Sequence, residues 1–119
     1  MRQVLTAVML IALSAAAGSA SAEVREVTVK GLGNKPCSEW TKAHQPRKPE
    51  AVLQETWLTG FISGFNEYAL KDSKDVAPGI GLSAIQTAVS AYCSSRPNDT
   101  LYRASKALVL DLQKKSGAK

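Results

Sequence analysis

Cys37 and Cys93 are the only cysteines in the 119 residues, so a single intramolecular disulfide is open to this chain, with no choice of partner. Two free thiols and a shared metal are the alternative readings. A metal would lack ligands, because His44 is the only histidine and neither cysteine belongs to a C-x-x-C pair. The compartment decides between a thiol and a disulfide, and the N-terminus bears on that. Arg2 is followed by an almost unbroken apolar run over residues 4–17, then Gly18-Ser19 and the small-x-small triplet Ala20-Ser21-Ala22. A charged start, a short apolar core and an A-x-A site make a secretory signal peptide. The run is too short for a membrane span, which needs roughly 20 apolar residues, and it meets Glu23, Arg25 and Glu26 at its end. No cysteine stands at the cleavage site to carry a lipid, so no stable membrane anchor is expected. Residues 1–22 are therefore read as a leader, the protein as periplasmic, and the cysteines as oxidised.

Taking the 22 leader residues from 119 leaves 97, enough for one domain with a thin core. A covalent tie across a loop as long as that between Cys37 and Cys93 adds on the order of 4 kcal/mol in the chain-entropy model. With Arg2 gone, 14 lysines and arginines face 10 acidic residues. The basic residues are scattered and form no stripe interleaved with aromatics, so no nucleic-acid surface is read from them.

Proline and apolar periodicity divide the rest into an N-terminal arm (23–36), a helical domain (37–115) and a disordered tail (116–119). Within the arm, residues 24–29 alternate like a short extended segment. Pro36 suits a helix start, and Cys37, Trp40, Thr41 and His44 fall on one helical face until Pro46 and Pro49 end it. A second helix runs from Pro49-Glu50 to about Leu70, with Leu53, Trp57, Leu58, Phe61, Ile62, Phe65 and Tyr68 on a wide apolar face. It is expected to be the core of the domain, with Trp57, Phe61 and Phe65 mostly buried or held for clients. Residues 71–81 read as a flexible polar loop. Ser83 caps a third helix carrying Ile85, Ala88, Val89, Tyr92 and Cys93, and Pro97 breaks it. Asn98 or Asp99 caps a fourth, with Leu101, Ala104, Leu108 and Leu112 inward and Lys114 and Lys115 at its C-terminal dipole. The expectation is an all-α, four-helix domain in which the disulfide clamps the first and third helices around the second.

Gly60 and Gly64 stand four apart inside the second helix. A mid-helix glycine costs about 1 kcal/mol relative to alanine, so a compensating contact is expected. Close packing against a neighbouring helix is one such contact. A dimer seam, by analogy with G-x-x-x-G pairs in membranes, is the other.

Catalytic constellations are missing from the sequence. His44 sits beside a proline- and lysine-rich turn, no G-x-S-x-G occurs, and Glu50 and Glu55 do not share a helix face. No glycine-rich phosphate loop follows a strand pattern, and nothing calls for a cofactor or a metal. The reading is a non-enzymatic protein.

The segments Pro36-Cys37-Ser38-Glu39-Trp40, W-L-T-G-F-I-S-G-F-N (57–66) and Ala91-Tyr92-Cys93, followed by Pro97, Thr100-Leu101 and Ala104, resemble the small exported helical proteins grouped with the periplasmic acid-stress chaperones HdeA and HdeB. That resemblance implies a four-helix fold with one disulfide, a homodimer at neutral pH, and a holdase that acid opens to capture unfolding periplasmic clients. The basic balance, the 71–81 loop and the paired tryptophans depart from the best-known members. The chain is also similar to periplasmic immunity proteins that neutralise type VI secretion cell-wall amidases. Those show Gly-aromatic-x-x-Gly near a cysteine and a proline before the last helix, and they imply a rigid binder of one effector enzyme.

Overall fold

Pro36 delivers an extended chain into a helix whose first N–H groups have no side-chain cap, and a distant turn satisfies them instead. Cys37 N–H donates to Asp99 O at 2.7 Å and Ser38 N–H to Pro97 O at 3.0 Å, while Leu101 N–H returns to Lys35 O at 3.0 Å. This computed structural model describes residues 27–119; the expected leader and cleavage site lie outside the described residues. After a 3-10 turn, Gly31–Asn34, come α1 (Cys37–His44), α2 (Glu50–Tyr68), α3 (Leu82–Ser95) and α4 (Leu101–Ser116). The described chain is thus an all-α, four-helix domain. Residues 27–30 of the arm, which precede the 3-10 turn, pair in no strand.

One disulfide joins Cys37 to Cys93, across a Cα–Cα distance of 4.8 Å. Both sulfurs are buried in the same cluster as Trp40, Leu58, Val76, Val89, Leu101 and Val109. The bridge ties the start of α1 to the end of α3, and the backbone bonds just described tie the same end of α1 to the α3–α4 turn.

The arrangement differs from the expected one at its centre. α1 and α3 pack directly on each other rather than around α2, and α1 and α4 each touch both other helices. α4 also meets the 3-10 turn and buries Leu101, Ala104, Ser105, Leu108, Val109 and Leu112. α2 contributes a narrower inner stripe of Ala51, Gln54, Glu55, Leu58 and Ile62. Trp57, Phe61 and Phe65 are partly buried and lie against the core instead of inside it, and the fully enclosed aromatic is Trp40.

Three further expectations are corrected. α4 is capped by Thr100, whose hydroxyl accepts from Arg103 N–H, and not by Asn98 or Asp99. α3 begins at Leu82 after Gly81, placing Ser83 inside the first turn. The segment after α4 is not a loose tail. Gly117 turns left-handed (φ 70°), Ala118 is buried, and Lys119 O accepts from Asp72 and Ser73 N–H at 2.7 and 2.8 Å. The 71–81 loop is therefore pinned at one side by Lys119. At the other side Asn66 binds Asp75 Oδ1 and Val76 N–H, and Val76 and Ala77 are buried.

Candidate functional site

α2 has two unlike faces, and the outer one carries the candidate site. Trp57 leads it. Its indole N–H donates to Lys30 O at 3.0 Å, and its ring lies so close beneath the 3-10 turn that a Cβ on Gly33 would come within 2.1 Å of it. Only glycine fits there, so this turn holds the indole in place. Phe61, one helical turn on, stacks on Trp57 with centroids 5.6 Å apart, and Tyr102 of α4 meets Phe61 edge-on at 5.8 Å. These three rings, with Gly60, Val27 and Val29, line an open apolar groove of about 440 Å3.

The apolar surface continues along α2. Leu53 is 63% exposed and Tyr68 89% exposed, and they lie on the same side of the helix as Trp57, Gly60 and Gly64. At both glycines a Cβ would meet nothing within 4 Å, so the expected intramolecular close packing at Gly60 and Gly64 does not occur among the described residues. The close approach to a glycine is at Gly33. Phe65, partly buried against the core like Trp57 and Phe61, does not line the groove.

On the inner face a polar cluster holds the α1–α2 corner. Glu55, whose side chain is 8% exposed, takes a bidentate pair of bonds from Arg47, one of them 2.9 Å long, and a third from His44 Nε2 at 3.1 Å. The His44 ring stacks on Trp40 at 3.8 Å, and its Nδ1 contacts Trp40 O at 2.9 Å. His44 is thus a half-buried structural link between α1 and α2. The Arg47 guanidinium, helped by His44 and opposed by burial, holds the Glu55 carboxyl below the usual carboxylate range. The sequence reading of Glu55 missed this cluster, although its spacing with the buried Leu58 and Ile62 is that of one helix face.

The lowered Glu55 pKa fixes the sign of a pH effect. The stabilisation is complete above the ordinary glutamate value and is lost as pH falls through the lower, folded-state value. Arg47 is half exposed, so the loss is modest. Glu55→Gln should cost about 1–3 kcal/mol at neutral pH, and the gap between variant and native protein should close in acid, once pH has fallen below the lowered folded-state value. Urea unfolding at neutral and at acid pH checks this; a gap that persists in acid would show that the carboxylate charge is not what matters.

A second polar cluster lies at the α3–α4 turn. Tyr92 Oη donates to Asp99, which together with burial pushes the phenol up, and Arg96 lies 4.4 Å over the Tyr92 ring. It orients the loop that caps α1. Among the described residues no three of His, Cys, Asp and Glu converge to hold a metal, and no helix is long and apolar enough to cross a membrane. Compared with known protein families, curated proteins and solved structures, the chain matches none of them.

Proposed function

We propose that this is an exported, non-enzymatic protein-binding domain that works in the periplasm as an acid-stress holdase, taking apolar segments of unfolding clients. The observation that carries the reading is the outer face of α2, where an aromatic groove and the exposed Leu53 and Tyr68 leave apolar surface open on one side of a small basic domain. Exposed apolar surface of this kind marks a place where another protein binds.

The inner face supplies an acid response. Protonating the 10 Asp and Glu residues leaves the lysines, arginines and His44 unopposed, and self-repulsion then works against the compact state. The Glu55 ties to Arg47 and His44 are lost in the same range, which frees the α1–α2 corner. The disulfide and the backbone bonds from α1 to the α3–α4 turn do not titrate, so these elements stay together while α2 loosens and offers its inner apolar stripe as well. Such a partly collapsed, apolar-exposing form is what a holdase needs.

The test is aggregation of an acid-labile client at pH 2–3 followed by neutralisation. Suppressed aggregation with dye binding to newly exposed apolar surface is the expected result. A domain that stays folded in acid and protects no client overturns it. The pinned 71–81 loop and the covalently tied α1 would then favour the other resemblance, a rigid binder of a single effector enzyme through the same groove.

A further inference from the structure

We propose that the groove beside α2 holds the hydrocarbon chain of a long-chain fatty acid, whose carboxylate is taken by Arg103 and Lys106 of α4. The site uses the groove of the holdase reading but does not depend on the acid response. Trp57, Phe61 and Tyr102 line it, and its volume of about 440 Å3 falls within the roughly 300–1,000 Å3 of small-ligand sites. A second cavity, of about 590 Å3, shares Val27, Val29 and Tyr102 with that groove and extends along α4 past Arg103, Lys106 and Leu110. Tyr102, Lys106 and Leu110 are four apart and so share one face of the helix. Lys106 follows Tyr102 by about 6 Å along the axis. An apolar groove and a cationic cavity thus share one wall.

Charge selects an anionic head. Lys30, Arg103 and Lys106 line the two cavities against one carboxylate, Asp99. That carboxylate is already engaged: it accepts from Tyr92 Oη and Thr100 N–H, and Arg103 Nε lies 3.6 Å away. Lys106 is exposed and has no ion-pair partner among the described residues. A ligand carboxylate there gains charge-assisted bonds without displacing an internal pair.

Polar bookkeeping selects the tail. A peptide laid in the groove brings backbone N–H and C=O groups that need partners. Polar groups of the groove are committed within the chain. The Trp57 N–H donates to Lys30 O at 3.0 Å, the Thr56 hydroxyl to Val52 O at 2.7 Å, and Val29 O accepts from the Asn34 amide at 2.6 Å. A hydrocarbon chain asks nothing of them and covers the half-open rings and the exposed Val27.

The test is calorimetric titration of the purified, oxidised protein with tetradecanoate at neutral pH, with no client present and below the concentration at which the acid self-associates. Saturable binding is expected, and dodecanoate, two methylenes shorter, should bind roughly tenfold more weakly. Tetradecanoate brominated near its chain end should quench Trp57 fluorescence, read on Trp40→Phe so that Trp57 is the one indole left. Gly60→Leu fills the groove, and because a Cβ there meets nothing within 4 Å it should keep the native circular-dichroism signal. Its affinity should fall by roughly tenfold or more. Lys106→Glu should weaken tetradecanoate and strengthen tetradecylammonium. The absence of saturable binding overturns the proposal, as does a Gly60→Leu variant that binds like the native protein. So does methyl tetradecanoate, or an apolar peptide, that binds as tightly as the acid. A protein that takes no fatty acid yet protects clients in acid overturns this inference alone and leaves the holdase reading standing.

Discussion

Replacing Cys93 with Ser should destabilise the domain by about 2–5 kcal/mol, the range for a native bridge in a small exported domain. The two cysteines are 56 residues apart in sequence, so opening the bridge releases most of the helical chain in the unfolded state. For a loop of that length the chain-entropy model gives about 4 kcal/mol. The bridge also carries an unusual share of the topology. α1 is only eight residues long, too short to persist alone. Its N-terminus depends on carbonyls of Pro97 and Asp99 that the bridge holds in reach. The loss should therefore appear first in α1. Hydrogen exchange in residues 37–44 should rise before exchange in α4, and the unfolding midpoint should fall by more than about 10 °C. Equal melting of oxidised and reduced protein would contradict this account.

Much of the architecture was legible from proline, glycine and apolar spacing, because those signals act locally. Pro46 follows the end of α1, Pro49 stands at the start of α2, and Pro97 separates α3 from α4. The single cysteine pair left no ambiguity of connectivity. The errors lie where distant groups decide. Asn98, Asp99 and Thr100 are three consecutive residues that can each cap a helix. Asp99 is engaged elsewhere, its carbonyl by Cys37 and its carboxylate by Tyr92, and the role falls to Thr100. Ala118 and Lys119 look like a frayed end until the backbone of Asp72 and Ser73 is brought beneath them.

The candidate site was half legible for a related reason. Trp57, Phe61, Gly60 and Gly64 stand out in the sequence, but periodicity cannot say which side of a broad apolar face turns inward. On α2 the choice goes to Leu58 and Ile62, because Glu55, on the same face, is held by His44 and Arg47. The rings at Trp57 and Phe61 are left on the shoulder, where Tyr102 completes the groove from a helix more than 40 residues away. A charged residue thus orients the hydrophobic helix, a decision hidden in any scale that scores glutamate as merely polar.

Trp40, rather than any aromatic of α2, should be the most costly side chain to truncate, at about 3–5 kcal/mol for Trp40→Ala. It is 1% exposed and lies one helical turn after Cys37. The indole N–H donates to the Ser90 hydroxyl at 2.9 Å, linking α1 to α3 a second time beside the disulfide. Its opposite attachment is the stacked His44 ring, which in turn holds Glu55. Trp40→Phe keeps most of the packing but removes the indole donor, so it should cost about 1 kcal/mol from the bond itself. The stack gives a sharper test. If Trp40 positions His44 for Glu55, then Trp40→Ala and Glu55→Gln should not be additive, and the double variant should be more stable than their sum implies by roughly 0.5 kcal/mol or more. Additive losses would separate the aromatic core from the acid-sensitive corner. A loss under about 1 kcal/mol for Trp40→Ala would mean that α1 contributes little beyond its covalent tie.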